Sequence, residues 1–552
     1  FNGEIYNYRD LRKGLEDAGH RFATHSDTEA IVHVYEQYGP QGLAQLNGMF
    51  ALGVWDRRRE ELLLARDRAG KKPLYYSISN GRLVFSSELA SLIQHPGISR
   101  EIDPIALDNY FCCGYVPCPR TIYRDVRQLE PGHFLLWHSG ELRNETYWRL
   151  RARPPAARSK RDAAEELLAL IKDAVRIRLH SDVPFGALLS GGVDSSLVVA
   201  LMTELMARPV DTFTIGFPTK QLNESHDAQE LARRLGTNHH NLVVEGHSVA
   251  DLVRKMAAHF GEPFGDASAI PTYLVAQMAR KHVTMALSGD GGDEVFGGYP
   301  SYRYHASAAV YRQVPPLIRD VVRASVRGVN GHAGSWGRRI RRFIEESELP
   351  VELAWRHSRG IFDDAELDQL YTPDFARQVA PGERGLGVRN SFSHFSAGFR
   401  PEAVLNFVDY ETYLPDDILV KVDRMSMANS LELRAPLLDY RIAEFAAGLP
   451  PQWKWTPWGG KRILKQAAAK VLPKDVLSRR KRGFVAPIGT WLRGDLAPLL
   501  GELLGRCSER HPIRPDYCHQ LLERHAAGEG GLVERRLWII FCYLLWHEQF
   551  GS

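Results

Sequence analysis

The feature that most constrains this chain is a glycine-rich turn between an apolar strand and a helix. Phe185 to Leu189 is typical of a short strand, Ser190-Gly191-Gly192-Val193-Asp194-Ser195-Ser196 follows at once, and helical character resumes at Leu197 to Met206. Backbone N–H groups at a helix N-terminus bind oxyanions, and glycine lets the oxyanion approach closely. The string has neither the Walker spacing nor the dinucleotide-binding spacing. It therefore predicts a phosphate site of another kind; the alternative is a tight turn that only caps a core helix.

The residues around this turn alternate between helices and strands. The helix before the turn has one apolar face, made of Ala164, Leu167, Leu168, Ile171, Ala174 and Val175. The alternation continues with strands at Asp211 to Phe217, His240 to Val244 and Val283 to Leu287, and with helices at Ala228 to Leu235 and Ile270 to Arg280. Strands joined by helices predict a doubly wound parallel sheet with helices on both faces. From Ala306 to the end the pattern is mainly helical.

A second polar loop follows the predicted strand that ends at Leu287. The string Ser288-Gly289-Asp290-Gly291-Gly292-Asp293-Glu294 places three carboxylates among glycines. Such a loop suits Mg²⁺, which takes few protein carboxylates and shares its other ligand positions with phosphates. The alternative is an acidic turn that faces solvent. Two such loops at strand ends of one predicted sheet favour a shared site, because ligands gather at the carboxyl edge of open α/β sheets.

The first 150 residues have a different pattern, which is rich in short strands. Strands are predicted at residues 48–55, 61–65 and 82–86, and a helix is predicted near Asp27 to Tyr38. The segment from Arg151 to Arg161, with two prolines and five basic residues, is typical of a linker. A chain of 552 residues is also too long for one ordinary core. The sequence therefore predicts a strand-rich domain at 1–150, a linker at 151–163, and a parallel-sheet domain with a helical C-terminal part at 164–552.

Charge and cysteine content argue against several classes of function. Lys and Arg number 70 against 66 Asp and Glu, and the resulting net charge of +4 is too slight to imply binding to nucleic acid or to a membrane. Six cysteines are too few for a disulfide scaffold. The most apolar stretch, Leu537 to Trp546, is about half as long as a helix that spans a bilayer. We therefore expect a cytoplasmic protein that binds neither nucleic acid nor a membrane.

Several long strings resemble one family, the glutamine-hydrolysing asparagine synthetases and related amidotransferases. The strings that resemble its glutaminase domain are Phe1-Asn2-Gly3-Glu4-Ile5-Tyr6-Asn7, Ser26-Asp27-Thr28-Glu29, Ala65-Arg66-Asp67-Arg68, Lys72-Pro73-Leu74-Tyr75-Tyr76 and Phe85-Ser86-Ser87-Glu88. The glycine-rich turn resembles the pyrophosphate loop of the ATP pyrophosphatases. With the acidic loop and two later strings, Lys421-Val422-Asp423-Arg424-Met425-Ser426-Met427-Ala428 and Glu432-Leu433-Arg434-Ala435-Pro436-Leu437-Leu438-Asp439, it resembles the synthetase domain.

The resemblance implies two domains with two linked reactions. An N-terminal-nucleophile-type glutaminase domain, built of layered β-sheets with helices, releases ammonia from glutamine. A doubly wound ATP-pyrophosphatase domain uses ATP to adenylate the side-chain carboxylate of aspartate, and ammonia then attacks the adenylate to give asparagine, AMP and pyrophosphate. The implied partners are ATP, glutamine and aspartate, with Mg²⁺ as the cofactor and a second copy of the chain in a homodimer.

The resemblance also assigns residues to these sites. The ATP-binding residues are Leu189, Ser190, Gly191, Gly192, Asp194, Ser195, Ser196, Ile215, Ser288 and Gly289. Asp194 and Asp293 bind Mg²⁺, and Asp290 and Lys481 are catalytic. The glutamine-binding residues are Asn2, Gly3, Glu4 and Asp27. Lys481 lies in a basic run at 478–484, for which a nucleic-acid patch and a solvated surface are the alternatives to an ATP-site loop.

The chain departs from the family pattern in two places. Glutaminases of this family use an N-terminal cysteine as the nucleophile, and here no cysteine precedes Cys112. Either the first strands lie upstream of Phe1 or the ammonia site has been lost; Asn2, Gly3 and Asp27 favour the former. The second departure is Asp290, where asparagine synthetases usually carry Glu. Amidation of another carboxylate, such as a sugar acid, a natural-product precursor or a peptide, and a non-catalytic paralogue are therefore alternatives to asparagine synthesis.

Overall fold

The computed structural model describes residues 1–217, 225–244, 249–327, 335–379, 386–395, 398–479, 486–507 and 511–551. The strands within these ranges form three sheets. All six cysteines are free thiols, in agreement with the sequence-based expectation. No helix in the described ranges is both long enough and apolar enough to cross a bilayer.

The N-terminal part contains two antiparallel sheets. Their strand orders are β1-β2-β3-β7-β8 and β5-β4-β6. The strands are β1 (Asn2–Ile5), β2 (Gly48–Asp56), β3 (Glu61–Arg66), β4 (Tyr75–Ser79), β5 (Arg82–Ser86), β6 (Arg127–Gln128), β7 (His133–His138) and β8 (Glu141–Thr146). The helices of this part are α1 (Tyr8–Asp17), α2 (Asp27–Tyr38), α3 (Leu89–Leu92) and α4 (Pro104–Cys113).

Successive side chains of the larger sheet point to opposite faces and so enter two cores. Phe50 and Leu63 pack with residues of α1 and α2. Their neighbours Ala51 and Leu64 pack instead against residues of the smaller sheet and its flanking segments. Helices, a first sheet and a second sheet therefore form successive layers, which confirms the predicted N-terminal-nucleophile-type fold.

The third sheet is parallel throughout, with the order β11-β10-β9-β12-β13. Its strands are β9 (Phe185–Leu188), β10 (Asp211–Gly216), β11 (Asn238–Val243), β12 (Met285–Leu287) and β13 (Glu432–Arg434). Met285 and Leu287 enter one buried core, whereas Ala286 between them enters the other. Because both faces are buried against helices, the doubly wound fold is confirmed.

The helices of this second part surround the parallel sheet and extend to the C-terminus, in agreement with the predicted helical pattern. They are α5 (Lys160–Arg178), α6 (Val193–Leu205), α7 (Ser225–Leu235), α8 (Val249–Phe260), α9 (Ala269–Arg280), α10 (Gly292–Phe296), α11 (Pro300–Tyr311), α12 (Pro316–Arg327), α13 (Ser335–Ser347), α14 (Val351–Arg359), α15 (Asp364–Leu370), α16 (Pro373–Ala376), α17 (Leu386–Phe395), α18 (Leu405–Glu411), α19 (Leu419–Met427), α20 (Tyr440–Ala447), α21 (Pro451–Lys454), α22 (Arg462–Ala468), α23 (Lys474–Ser478), α24 (Ile488–Arg493), α25 (Ala497–Gly505), α26 (Pro515–Ala526) and α27 (Leu532–Phe550).

Within the parallel sheet, the structure adds one strand that the sequence pattern did not predict. Residues 432–434 form the fifth strand, β13, inside a region expected to be mainly helical. Three residues are too few to show a strand period, and the pairing of Leu287 with Arg434 supplies the hydrogen bonds that define the strand. The predicted helix at 197–206 also begins earlier, at Val193, directly after the glycine-rich turn.

The two parts of the chain share one hydrophobic core. Tyr110 and Phe111 of α4 belong to the same buried cluster as Phe260 of α8, Tyr273 of α9 and Trp546 of α27. The Tyr110 hydroxyl donates a hydrogen bond of 2.8 Å to the carbonyl of Ile539 in α27. The N-terminal part therefore continues into the interior of the second part.

A loop after β3 carries a buried charge across the same boundary. The carboxylate of Asp67 accepts hydrogen bonds from the backbone N–H groups of Phe50, Ala69, Lys71 and Lys72, which fix the loop. Lys72 Nζ then lies 2.7 Å from Oδ1 of Asp423 in α19, and both side chains are buried. Burial by itself would lower the pKa of Lys72, but the Asp423 carboxylate outweighs this effect and raises the pKa above its ordinary value.

Lys72→Met should destabilise the protein, because it leaves the Asp423 carboxylate buried without its cation. Removal of one partner of a buried pair costs about 3–5 kcal/mol, so the melting temperature should fall by several degrees. The double variant Lys72→Met/Asp423→Leu should recover most of the loss. Lys13→Met, at an exposed position of α1, is the matched control. If the first variant melts like the wild type, this pair does not stabilise the junction.

Candidate functional site

The glycine-rich turn and the acidic loop meet at the carboxyl edge of the parallel sheet. They follow β9 and β12, which are hydrogen-bonded neighbours. A Cβ atom placed on Gly289 would lie 2.6 Å from the backbone nitrogen of Ser195, and one on Gly292 would lie 2.6 Å from Cγ of Asp194. The backbone of the acidic loop therefore touches the first turn of α6, at positions where only glycine fits.

Hydroxyl groups hold the glycine-rich turn in shape. Ser195 Oγ accepts a 3.2 Å hydrogen bond from the backbone N–H of Ser190 and lies 3.0 Å from Ser190 Oγ. Gly191 adopts a φ of 75°, and Gly192 is the N-cap of α6. The start of α6, with the positive end of its helix dipole, therefore lies at the turn, an arrangement that favours an oxyanion.

Two carboxylates from the two loops share one cation. Lys461 Nζ contacts Oδ2 of Asp194 and lies 2.6 Å from Oδ1 of Asp293. All three side chains are largely buried. Oδ1 of Asp194 is buried and lacks a hydrogen-bond partner within the described part of the chain. The structure thus brings together the two residues predicted to bind Mg²⁺.

The donor set at this position fits Mg²⁺. Hard carboxylate oxygens from two side chains converge, and Asp194 keeps one oxygen without a partner. Lys461 supplies the positive charge that two neighbouring carboxylates require. Asp194 and Asp293 would hold the ion, which would supply positive charge beside phosphate groups.

Sequence reasoning missed Lys461. The residue follows two glycines and has a φ of 54°, at the start of α22. Gly298, just after α10, leaves room for it, because a Cβ there would lie 1.8 Å from Asp293 Oδ1 and 2.2 Å from Lys461 Cε. The two glycines before Lys461 were the only available sign of an unusual position. They do not indicate that the lysine contacts Asp194 and Asp293, which lie 160 residues or more away in sequence.

Asp290 lies at the turn of the acidic loop, between the strand and α10. Its Oδ2 accepts a 2.7 Å hydrogen bond from the Ser288 hydroxyl. Two buried lysines, Lys71 and Lys421, feel the negative charge of Asp290. Burial lowers the pKa of Lys71, and the charge of Asp290 opposes this effect. Lys421 also forms a 2.7 Å ion pair with Asp266.

The residues predicted to flank the nucleotide base lie at neighbouring strand ends. Leu189 follows β9 and Ile215 lies in β10, and both are buried. The Thr214 hydroxyl donates a hydrogen bond to the Leu189 carbonyl, and Leu189 N–H donates to the Phe213 carbonyl at 2.9 Å. The parallel pairing of the two strands therefore fixes this wall of the site.

The predicted glutamine-binding residues also lie together in the N-terminal part. Asn2, Gly3 and Glu4 belong to β1, and Oδ2 of Asp27 accepts a 2.9 Å hydrogen bond from the backbone N–H of Ile5 at the end of that strand. Glu4 Oε1 lies 3.1 Å from an Arg434 nitrogen of β13. Burial raises the pKa of Glu4 to about 7 despite this arginine.

Lys481 lies outside the described residues, but the chain before it contacts the site. The guanidinium of Arg479 donates hydrogen bonds to the carbonyls of Gly191 and Asp227, each 3.2 Å long. The start of the basic run is therefore anchored to the glycine-rich turn. The sequence pattern alone gave no reason to single out Arg479.

Comparison with known proteins identifies the family. A model of the asparagine synthase family matches residues 166–548, and a model of the glutamine amidotransferase domain matches residues 1–148. Asparagine synthetase 1 (glutamine-hydrolysing) of Bacillus subtilis is 34% identical over 552 residues, which covers 99% of this chain and 85% of that protein. The chain belongs to the asparagine synthase family. It is accordingly an enzyme of the ligase class with a glutamine amidotransferase domain.

More distant relatives include proteins with a different name. Asparagine synthetase 3 (glutamine-hydrolysing) of Bacillus subtilis is 29% identical and covers 88% of this chain and 74% of that protein. Amidase chry2 of Gibberella zeae is 23% identical and covers 100% of this chain and 86% of that protein. Similarity across the whole chain therefore extends to proteins that do not carry the asparagine synthetase name.

Gly298→Ala should weaken nucleotide binding, because the new methyl group would displace Lys461 from the two carboxylates. We expect the Kd for ATP with excess Mg²⁺ to rise by about tenfold, which corresponds to roughly 1.4 kcal/mol. Gly459→Ala is the control, since a Cβ there has no atom within 4 Å. Isothermal titration of both variants checks this. Equal affinities of the two variants for ATP would show that the close approach of Gly298 to Lys461 and Asp293 does not affect nucleotide binding.

Proposed function

We propose that this protein adenylates a carboxylate with ATP and converts it to an amide with ammonia from glutamine, and that aspartate is the acceptor. The observation that carries the proposal is the contact between the glycine-rich turn and the acidic loop, with Asp194, Asp293 and Lys461 converging between them. A carboxylate is a poor electrophile. Its oxygen would attack the α-phosphorus of ATP and displace pyrophosphate, and ammonia would then attack the carbonyl carbon of the adenylate and displace AMP. The expected products are asparagine, glutamate, AMP and pyrophosphate.

The residues of the turn would bind the β and γ phosphates as one leaving unit. In this proposal the donors are Ser190, Ser195 and the backbone N–H groups of Gly191 and Gly192, which lie together at the start of α6. Mg²⁺, when bound by Asp194 and Asp293, would neutralise charge on the phosphates. Lys461 then supplies a second positive charge beside pyrophosphate as it departs. Leu189, Ile215, Ser288 and Gly289 would contact the nucleoside.

The N-terminal part would bind the glutamine that supplies ammonia, although the cysteine nucleophile of the family is not among the residues before Cys112. In this proposal Asn2, Gly3, Glu4 and Asp27 bind glutamine beside β1. The hydrogen bond from Ile5 to Asp27 holds this strand against α2. Glu4 and Arg434 link the same strand to β13 of the parallel sheet. A rigid connection of this kind keeps the two sites at a fixed separation.

A second candidate is amidation of a different carboxylate. Asp290 is one methylene shorter than the Glu that asparagine synthetases usually carry, and amidase-named proteins are among the relatives. A non-catalytic paralogue is less well supported, because the polar groups of both loops are complete and converge on one cation. A cytoplasmic location and a homodimer remain predictions.

The complete protein should form AMP and pyrophosphate from ATP, and of a panel of carboxylates aspartate should elicit the most pyrophosphate. Asp194→Asn and Asp293→Asn should each lower this rate roughly 10²–10³-fold, because metal binding contributes several kcal/mol to the transition state. Circular dichroism should show that both variants keep their fold. ADP as the product would refute the proposal, and a larger response to another carboxylate would favour the second candidate.

Lys481→Ala should slow pyrophosphate release by about 10²-fold and leave the Kd for ATP nearly unchanged. A cation brought to the departing pyrophosphate acts mainly where charge develops in the transition state. Single-turnover kinetics and ATP titration separate the two effects. Arg480→Ala, in the same basic run, is the control for a general loss of charge. Equal effects of the two substitutions would show that the basic run acts only as a diffuse positive surface.

A further inference from the structure

Three potential metal ligands lie close together at α2 of the N-terminal part. The proposed reaction does not use them. His20 lies in the link between α1 and α2, and His33 and Glu36 lie three residues apart on α2. The two imidazoles are mostly buried, with 11% and 15% of their side chains exposed, whereas Glu36 is exposed. A metal ion bound by these three residues would connect the segment between α1 and α2 to α2 itself.

The distances between the three ligand atoms match a tetrahedral metal site. The Nδ1 atoms of His20 and His33 lie 3.1 Å apart, and Oε2 of Glu36 lies 3.5 Å from each of them. Ligands at about 2.0–2.1 Å from Zn²⁺ in a tetrahedron lie roughly 3.3–3.4 Å from one another. The observed triangle therefore has the size that a zinc ion requires.

Contacts at the other ring nitrogens leave the two Nδ1 atoms facing each other and Glu36. His20 Nε2 lies 2.9 Å from Oε1 of Gln37, an atom that only accepts, so the ring proton of neutral His20 sits on Nε2. His33 Nε2 lies 3.7 Å from Oε1 of Glu29. Such outer partners orient metal-binding histidines and fix their tautomers.

Glu29 is itself held in place. Its carboxylate accepts hydrogen bonds from the Thr24 hydroxyl and from the backbone N–H groups of Ala23 and Thr24. A carboxylate fixed near His33 Nε2 favours a proton on that nitrogen and a free lone pair on Nδ1.

We propose that His20, His33 and Glu36 bind one Zn²⁺ ion, with water as the fourth ligand. Two imidazole nitrogens and a carboxylate oxygen that face one another at these distances can hold one metal ion between them. Two imidazoles and one carboxylate suit Zn²⁺, whereas Mg²⁺ and Ca²⁺ prefer oxygen ligands alone. The ion would pin the 18–26 link to α2, next to Asp27 at the start of that helix.

Metal content of the tag-free protein tests the proposal directly. The protein is dialysed against Zn²⁺ in the presence of excess Mg²⁺, which fills oxygen-only sites, and bound zinc is then measured by mass spectrometry. Wild type should retain one equivalent. His20→Gln, His33→Gln and Glu36→Gln should each lose most of it, whereas His25→Gln, a control in the same link, should retain it.

Cobalt substitution gives a second measurement that does not depend on activity. Co²⁺ in wild type and in His25→Gln should give the intense visible absorption of a tetrahedral site, and the three ligand variants should lack it. Circular dichroism checks that every variant is folded. Absence of zinc from wild type, or retention of a full equivalent by the His20→Gln/His33→Gln double variant, would overturn the proposal; the first result would mean that a shared proton satisfies the two imidazoles.

Discussion

The architecture of the site depends on one electrostatic constraint, the close approach of Asp194 and Asp293. Two ionised carboxylates cannot stay together in a largely buried position without a cation. Lys461 supplies this cation, and the arrangement of the sheet allows it to reach both carboxylates. Neighbouring parallel strands bring the two loops to one edge, glycines let their backbones touch, and Gly298 admits the lysine. A change to any of these parts affects the charge balance of the others.

Much of the fold follows from local sequence pattern. The strand, turn and helix at 185–205, the parallel sheet and the helix at 27–38 were all predictable, because alternation and helical periodicity are local signals. Strand β13 was not, since its three residues become a strand only when Arg434 pairs with Leu287. The common core also could not be foreseen, because nothing near Tyr110 in the sequence indicates that it packs against α27.

The candidate site was predictable to a similar degree. Asp194 and Asp293 could be named as a pair because the two loops resemble those of a known family, and the structure brings the pair together. Lys461 and Arg479 could not, because a lysine after two glycines or an arginine in a basic run does not indicate which residue it will contact. Their roles arise from contacts with residues far away in sequence, Asp293 and Gly191 among them.

The common core of α4, α8, α9 and α27 has a consequence for how such proteins can be recombined. The two parts look separable in sequence, since a proline-containing segment typical of a linker lies between them. Their interior is not separable, because Phe111 and Trp546 pack in one cluster and Lys72 is neutralised by Asp423. A chimera that exchanges only the first 150 residues between relatives would mismatch these apolar and charged surfaces. The natural unit of exchange is the N-terminal part together with α19 and the C-terminal helix.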